Sequence, residues 1–83
     1  MMQMYSIRDN KADFYGQPFY ARTKADALRS FSDAINGGVE QFSKHSSDFD
    51  LFYVGDFDEL TCSILPIPNI MHLGNGAEYK KSE

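Results

Sequence analysis

The sequence predicts a small α+β domain, in which an antiparallel-rich sheet packs against one helix in the order strand, strand, helix, strand, strand. Three observations support this prediction. Apolar residues alternate in segments near both ends of the chain, one segment between them has helical periodicity, and Gly, Pro or Asp separates the segments. With 83 residues, the chain has room for one domain near the lower limit of independent folding.

The first strand is predicted at residues 2–8 from the alternation of its side chains. Tyr5 and Ile7 share one face, and the other face carries Met4, Ser6 and Arg8. The segment that follows, residues 9–13, is polar and is expected to form a loop.

A second strand is predicted at residues 18–22, behind a Gly-Gln-Pro turn. The proline of this turn lacks an amide hydrogen, so it can only open a strand or lie on a sheet edge. Alternation then places Phe19 and Ala21 on one side, and Tyr20 and Arg22 on the other. The two aromatic residues before the turn, 14 and 15, are assigned to the loop.

The clearest local signal is a helix of about thirteen residues that begins after Thr23. Thr23 is a favourable N-cap, and an acidic residue three positions later suits the positive helix end. Apolar residues recur on one helical face: Ala27, Leu28, Phe31, Ala34 and Ile35. Gly37 and Gly38 are expected to end the helix in the left-handed conformation. One more helical turn is predicted around Val39 and Phe42.

A third strand is predicted at residues 51–58, and both of its faces carry aromatic rings. Leu51, Tyr53 and Phe57 are expected on one face, with Phe52 and Val54 on the other. Strict alternation is the only basis for this division.

The sequence from residue 58 onward indicates a hairpin turn, a last strand and then a flexible tail. Asp58 and Glu59 form the turn, and the last strand occupies residues 61–67, where Pro66 and Pro68 close it. From residue 69 onward the chain is polar and contains glycine. The sequence therefore predicts one domain at residues 1–68 and a flexible tail at residues 69–83.

The aromatic content exceeds what one small core uses. The chain has seven Phe, five Tyr and no Trp, and each ring buries about 150–250 Å². A single helix covers one face of a four-stranded sheet, so the other face is in solvent, paired with a second copy or used for a ligand. Some rings are therefore expected to face a partner.

The charge balance bears on the class of partner. The net charge is -4, which argues against a protein that coats duplex DNA through phosphate contacts alone. Residues 1–44 carry six basic and five acidic side chains, whereas residues 45–83 carry two basic and seven acidic ones. A nucleic-acid surface is therefore expected in the first half of the chain.

Cysteine usage and hydropathy indicate the compartment. The single cysteine, Cys62, cannot form an internal disulfide, which fits a reducing environment. The N-terminal segment lacks the apolar run of a signal peptide, and no segment reaches the ~20 apolar residues of a membrane span. The sequence therefore predicts a soluble intracellular protein that does not enter a membrane.

The strand faces turned away from the helix combine rings with cations. Rings stack on unpaired bases and cations follow the phosphate backbone, so this combination suits single-stranded nucleic acid. An amphipathic hairpin, whose tyrosines cover the edge of the core with their hydroxyls in water, is the alternative reading. The candidate DNA-binding residues are Arg8, Lys11, Tyr15, Tyr20, Arg22 and Lys24.

Acidic residues cluster in the second half of the chain. The pairs Asp48/Asp50 and Asp56/Asp58 supply the oxygen ligands that Mg²⁺ and Ca²⁺ prefer. Their spacing does not match an EF-hand loop, and aspartates in turns and on a solvated rim are the favoured account. No metal site is predicted.

The sequence contains the residue types of a nucleophilic catalytic site, but not in positions that are typical of one. Cys62, His45 and His72 could in principle form a cysteine–histidine pair, but Cys62 lies within a predicted strand, where a buried apolar role is more common. The chain also lacks a phosphate-binding loop and a GxSxG elbow. Neither an enzymatic activity nor a cofactor is predicted.

Two segments resemble a known family. They are "MYSIRDNKADFYGQPF" at residues 4–19 and "KHSSDFDLFYVGDFDELT" at residues 44–61, with "RSF" at residues 29–31 between them. They resemble the small nonstructural protein of gokushovirus-type microviruses, phages with circular single-stranded DNA genomes. The resemblance covers residues 4–67. It implies a nonenzymatic, DNA-binding role in genome replication or packaging, in the cytoplasm of the host cell.

The leading hypothesis is a phage protein that binds single-stranded DNA with little sequence preference. A viral replication or packaging protein is expected as its protein partner. We expect a homodimer, because dimerisation buries the apolar surface that one helix leaves over and joins two modest basic patches. The alternative is an assembly or adaptor protein that binds a viral or host protein through the aromatic sheet face and the acidic hairpin.

Overall fold

The computed structural model describes residues 1–37 and 40–81. The predictions that fall on Gly38, Val39, Ser82 and Glu83 lie outside the described residues. The molecule is elongated, with extents of 44 × 24 × 17 Å.

One antiparallel sheet and one long helix form the fold, which confirms the predicted α+β class. The sheet order is β2-β1-β4-β5, and β3 also pairs with β1. The predicted element order is incomplete, because the structure adds a short strand, a 3₁₀ turn and a short C-terminal helix. The short helix after the long helix contains Phe42, where a further helical turn is predicted. The strands are β1 Met2–Asp9, β2 Phe14–Tyr15, β3 Phe19–Ala21, β4 Phe49–Asp58 and β5 Ser63–Asn75. The helices are α1 Lys24–Asn36, α2 Glu40–Lys44 and α3 Gly76–Tyr79, with a 3₁₀ turn at Ser46–Asp48.

Strands β2 and β3 are two pieces of one interrupted strand. Tyr15 pairs with Arg8 and Phe19 pairs with Tyr5, so both pieces lie along the same edge of β1. Between them, the Gly16 amide donates to the carbonyl of Ile7 at 2.8 Å. The assignment of residues 14 and 15 to a loop is therefore wrong. The hairpin pairing starts before the Gly-Gln-Pro segment, which interrupts the strand without ending it.

Helix α1 has the predicted boundaries and supplies three of the seven buried residues of the core. The Asp26 amide donates to Oγ1 of Thr23 at 3.1 Å, which is the expected N-cap bond. The fully buried face of α1 packs on the sheet through Ala27, Phe31 and Ile35. At the other end Gly37 has φ -84°, so the expected left-handed conformation is wrong at this residue. The sheet contributes Tyr5, Ala21, Phe49 and Leu51 to the same core.

A β-bulge at Val54 interrupts the alternation of β4. Tyr5 pairs with Tyr53 while Met4 pairs with Gly55, which leaves Val54 as an extra residue on β4. Beyond the bulge, Phe57 pairs with Met2 and therefore lies on the face away from the helix. The prediction that Phe57 shares a face with Leu51 and Tyr53 is wrong, because strict alternation does not allow for the extra residue.

Strand β5 is longer than the sequence predicts. It continues through both prolines to Asn75, so the predicted end of the last strand at Pro66 and Pro68 is wrong. Gly55 pairs with Pro66 and Tyr53 pairs with Met71, which leaves residues 67–70 as a second, larger bulge. Because β5 is an edge strand, a proline can lie in it without breaking the ladder on both sides.

Residues 76–81 pack back onto the helix. Asn75 caps α3, the Asn36 side chain donates to the carbonyl of Tyr79 at 2.8 Å, and the Lys81 amide donates to Oδ1 of the Asn36 side chain at 2.9 Å. The Tyr79 ring lies 5.7 Å from that of Phe31. The predicted boundary at residue 68 thus falls within β5, and the predicted tail is strand and helix as far as Tyr79.

The two hairpin turns have the same geometry. The Asp13 amide donates to the carbonyl of Asp9, and the Cys62 amide donates to the carbonyl of Asp58, each at 2.8 Å. Asp13 and Cys62 both have positive φ, at 64° and 61°. Cys62 is exposed in the turn, so its predicted place within a strand is wrong. The left-handed conformation costs a non-glycine residue about 1–2 kcal/mol.

Cys62→Gly is therefore expected to stabilise the protein by about 0.5–1 kcal/mol. Glycine removes the cost of positive φ but adds roughly 0.5–1 kcal/mol of backbone entropy to the unfolded chain. Urea unfolding measures the change in the free energy of unfolding. Cys62→Ser, which keeps the Cβ atom, is the control and should be neutral. A Cys62→Gly protein no more stable than Cys62→Ser would contradict the strained turn.

Candidate nucleic-acid interface

The sheet surface turned away from α1 is called the open face. Directly opposed residues in an antiparallel pair point to the same side, so the register identifies its members. Four pairs across the strands define it: Arg8 with Tyr15, Ser6 with Phe52, Met4 with Tyr20, and Met2 with Phe57.

The first aromatic cluster of the open face is built around Tyr15. The Arg8 guanidinium lies over the Tyr15 ring at 4.8 Å, within the range of a cation–π contact. The Phe52 ring meets Tyr15 edge-on at 5.6 Å, and His72 meets Phe52 at 5.3 Å. Tyr15 nevertheless remains 44% exposed. The ring is thus held in place and still available to a ligand.

The second aromatic cluster consists of Tyr20 and Phe57. Their ring centroids are 5.8 Å apart at an interplanar angle of 59°, and Tyr20 is 49% exposed. Their register partners on β1, Met4 and Met2, lie beside them on the same face. Tyr15 and Tyr20 pair with residues four apart on β1, so the two clusters are separated by roughly 13 Å along the strand.

An apolar groove of about 280 Å³ lies between the two clusters. Met4, Val54 and Ile70 line it, together with the Tyr15 ring. The hydroxyl of Ser6 is also in the groove, but it donates to the carbonyl of Gly16 at 2.8 Å. The groove therefore offers apolar surface to a ligand.

Three of the six predicted DNA-binding residues come together on the open face: Arg8, Tyr15 and Tyr20. Arg22 is exposed and follows the buried Ala21, one residue beyond the end of β3. Lys11 is exposed in the turn between β1 and β2.

The sixth predicted residue, Lys24, lies elsewhere. It is the first residue of α1 and lines a small cavity with Tyr5 and Tyr53, on the helix side of the sheet. The structure therefore does not bring Lys24 together with Tyr20.

Sequence reasoning did not assign Phe52, Phe57 and His72 to the site. Alternation correctly separated Phe52 from Leu51 and Tyr53, but it did not show which face of β4 turns away from the helix. Phe57 reaches this face only because of the bulge, which leaves no clear signal in the sequence. His72 pairs with Phe52 in a part of the chain that was predicted to be a tail.

The side chain of Asp50 organises one end of the open face. His72 Nε2 and Asn75 Nδ2 lie 3.0 and 2.9 Å from Asp50 Oδ1, and Asn10 Nδ2 donates to Oδ2. Partial burial acts to raise the pKa of Asp50. The hydrogen bonds from His72, Asn75 and Asn10 outweigh it and hold the pKa below its ordinary value.

Charges near Arg8 partly cancel. Its guanidinium forms an ion pair with Asp13, and its Nε donates to the side-chain oxygen of Asn10 at 3.0 Å. Asp50 is the register partner of Arg8 on β4. The Tyr15 end of the open face is therefore close to neutral, and the exposed side chains of Lys11 and Arg22 carry the available positive charge.

The predicted acidic pair Asp56/Asp58 has structural roles. Asp56 accepts a hydrogen bond from the Tyr53 hydroxyl at 2.7 Å, and this bond, with burial, raises the pKa of Tyr53 to about 12. Asp58 accepts from the Leu60 amide in the turn. Across residues 1–37 and 40–81, no three His, Cys, Asp or Glu side chains are grouped so that they could hold a metal ion.

Cys62 and His72 do not form a pair. Cys62 lies in the β4–β5 turn, and His72 pairs with Phe52, six residues away from Asp58 along β4. This separation is roughly 20 Å.

Comparison with known protein families relates the chain to phage proteins. The sequence profile of the family described as Phage ORF5 protein matches residues 2–79. No curated protein and no solved structure matches the chain significantly. In the described part of the chain, no helix has the length and apolar character needed to cross a membrane.

Asp50→Asn is expected to lower the free energy of unfolding at pH 7 by about 1.5–3 kcal/mol, because an amide nitrogen cannot accept hydrogen bonds. The folded-state pKa of Asp50 lies below its unfolded value of about 3.9. Its stabilising contribution is therefore complete above about pH 4 and is lost as the pH falls through the folded-state pKa. Urea unfolding at pH 7 and between about pH 2 and 4 measures both effects.

The control is Asp33→Asn, which changes an exposed carboxylate on α1 and should be close to neutral at pH 7. Equal losses in the two variants, or an acid response of Asp50→Asn as steep as that of the wild type, would contradict the role assigned to Asp50.

Proposed function

The chain belongs to the Phage ORF5 protein family, and we propose that it binds single-stranded DNA with little sequence preference. One observation carries the proposal: two half-exposed tyrosines lie on one sheet face, and a ring from β4 supports each of them. We further propose that the phage is a gokushovirus-type microvirus. The protein then acts in genome replication or packaging, with a viral partner of that pathway, in the host cytoplasm.

The supported rings suit base stacking. Phe52 fixes the edge of Tyr15, Arg8 covers part of its surface, and Phe57 plays the supporting role for Tyr20. A ring that is already ordered loses little conformational freedom when a base stacks on it. Because every base has a π-face, stacking on such rings does not discriminate among sequences.

The cations are placed to follow a backbone. Arg22 lies beyond Tyr20, and Lys11 lies beyond Tyr15, at opposite ends of the open face. A strand whose bases stack on the two tyrosines would pass both side chains. With only these two cations available, affinity would depend more on stacking than on charge, which agrees with the net charge of -4.

The groove on the open face favours a second candidate. Its lining by Met4, Val54 and Ile70 offers apolar contacts, which suit an apolar side chain of a protein partner. In that case the chain acts as an assembly or adaptor protein, with the aromatic sheet face as its docking surface. Salt distinguishes the candidates, because apolar burial lacks the salt dependence of phosphate contacts.

Tyr20→Ala is expected to raise the dissociation constant for oligo-dT roughly 5- to 150-fold, because one stacked base is worth about 1–3 kcal/mol. Fluorescence anisotropy of a labelled oligo-dT measures binding. The matched control is Phe14→Ala, which removes another exposed ring. Phe14 lines a cavity with Phe42 and Phe49 on the helix side, so this variant should bind like the wild type.

Two results would favour the adaptor candidate. One is a wild-type protein that neither binds oligo-dT nor shows quenching of its tyrosine emission on titration. The other is oligo-dT binding that Tyr20→Ala leaves unchanged, which would place the DNA away from the open face and leave that face to a protein partner.

Arg22→Ala is expected to reduce the salt dependence of oligo-dT binding. Each phosphate contact contributes about -0.7 to the slope of log affinity against log salt, so the loss of one contact makes the slope shallower by that amount. Lys24→Ala is the matched control, because Lys24 is also an exposed cation, two residues away and on the helix side. A slope that changes in Lys24→Ala and not in Arg22→Ala would place the DNA on the opposite face.

A further inference from the structure

Strand β5 is an edge strand without the usual protection. Within the described chain it pairs only with β4, so its outer edge carries unpaired backbone groups. Natural edge strands are commonly protected by charged side chains, especially lysine. About one residue in four of this protein is charged, yet residues 60–77 contain no Asp, Glu, Lys or Arg.

Exposed apolar side chains occur on both faces of this strand. Ile64 and Ile70 lie on the open-face side, as the pairing of Ile64 with Phe57 and the groove around Ile70 show. Leu65 and Met71 lie on the helix side, where they pair with Asp56 and Tyr53. All four are between 42% and 63% exposed. A strand that is apolar on both faces is typical of a sheet interior, not of a sheet edge.

The overall shape also leaves surface to be buried. The chain has 5496 Å² of accessible surface, against about 5000 Å² for a compact monomer of 9.4 kDa. Its radius of gyration is 13.1 Å, against about 12 Å for a compact chain of this length. This excess of roughly 500 Å² is more than half of the ~800 Å² per partner that a stable interface buries.

The prolines decide which half of the edge is available. Pro66 and Pro68 lack amide hydrogens, so residues 63–68 cannot offer a continuous row of donors. From Asn69 to Asn75 every residue has an amide hydrogen and none is charged. This second half can therefore pair with another strand.

We propose that residues 69–74 of β5 pair antiparallel with the same residues of a second copy, so that two sheets join into one. This proposal rests on the proposed function and deepens it, since it names the surface through which the homodimer expected from the sequence would form. The partner is a second copy because the segment carries no net charge that would repel itself and is apolar on both sides. Strand addition to an open edge gains backbone hydrogen bonds along its whole length.

The pairing has a consequence for the open face. Antiparallel edge pairing of identical strands places a twofold axis perpendicular to the sheet, so the open faces of both copies point to the same side. The joined sheet is eight strands wide, or roughly 38 Å at about 4.8 Å per strand. The two pairs of aromatic clusters then lie on one continuous surface.

Met71→Lys is the test of the interface. Two lysines at the centre of the paired edge repel each other, and an edge lysine opposes strand addition. We expect sedimentation to give the 9.4 kDa monomer for Met71→Lys at concentrations where the wild type has twice that mass. The matched control is Ile64→Lys, which makes the same change in the proline half of β5 and should remain dimeric. Both side chains are more than half exposed, so both variants should fold.

Amide hydrogen exchange tests the backbone pairing itself. Amides in residues 69–74 should exchange more slowly as the wild-type concentration rises, and those of Met71→Lys should not respond.

A monomeric wild type, or a dimer that Met71→Lys leaves intact, overturns the proposed interface. Oligo-dT binding, measured separately, decides the DNA proposal. A monomeric protein that binds DNA would contradict the dimer interface but not the DNA-binding function. A dimeric protein that does not bind DNA would contradict the DNA-binding function but not the interface.

Discussion

The Asp50 carboxylate joins parts of the chain that are far apart in sequence. It accepts hydrogen bonds from Asn10 in the first turn and from His72 and Asn75 on β5. Asn75 in turn caps α3, and the Tyr79 ring of α3 packs against Phe31 at the centre of α1. One carboxylate thus couples the β1–β2 hairpin, the edge strand and the helix layer. In so small a core, such coupling replaces the additional apolar layers of a larger protein.

The same arrangement connects stability to the candidate site. His72, which bonds to Asp50, also packs against Phe52, and Phe52 supports the Tyr15 ring. Arg8 lies directly across from Asp50 on the neighbouring strand. The Tyr15 cluster is therefore part of the hydrogen-bonded framework, whereas the Tyr20 cluster depends mainly on the contact with Phe57. The more rigid end of the open face is the end that is close to neutral, and the exposed Arg22 lies at the other end.

The sequence predicted the features that depend on local periodicity. The helix from Lys24 to Asn36, its Thr23 cap and the two faces of β1 follow from side-chain spacing alone. Features that depend on tertiary pairing could not be read in this way. The bulge at Val54 is defined only by the partner strand, and β5 tolerates its prolines only because it is on an edge. For the site, Arg8, Tyr15 and Tyr20 were identified, but their supporting rings were not assigned to it.

The bulge at Val54 makes the open face tolerant of a change in chain length at this one position. Removal of the Val54 codon would let Gly55 follow Tyr53 directly, in the register that both residues already have with β1, so Phe57 would stay on the open face. Loss of the bulge at constant chain length would instead shift the register of β4 by one residue, and such a shift turns every following side chain to the opposite face. Phe57 would then point to the helix side, and the carboxylate of Asp56 would take its place. The aromatic surface of a phage lineage therefore survives an in-frame deletion at the bulge but not a slip in strand pairing.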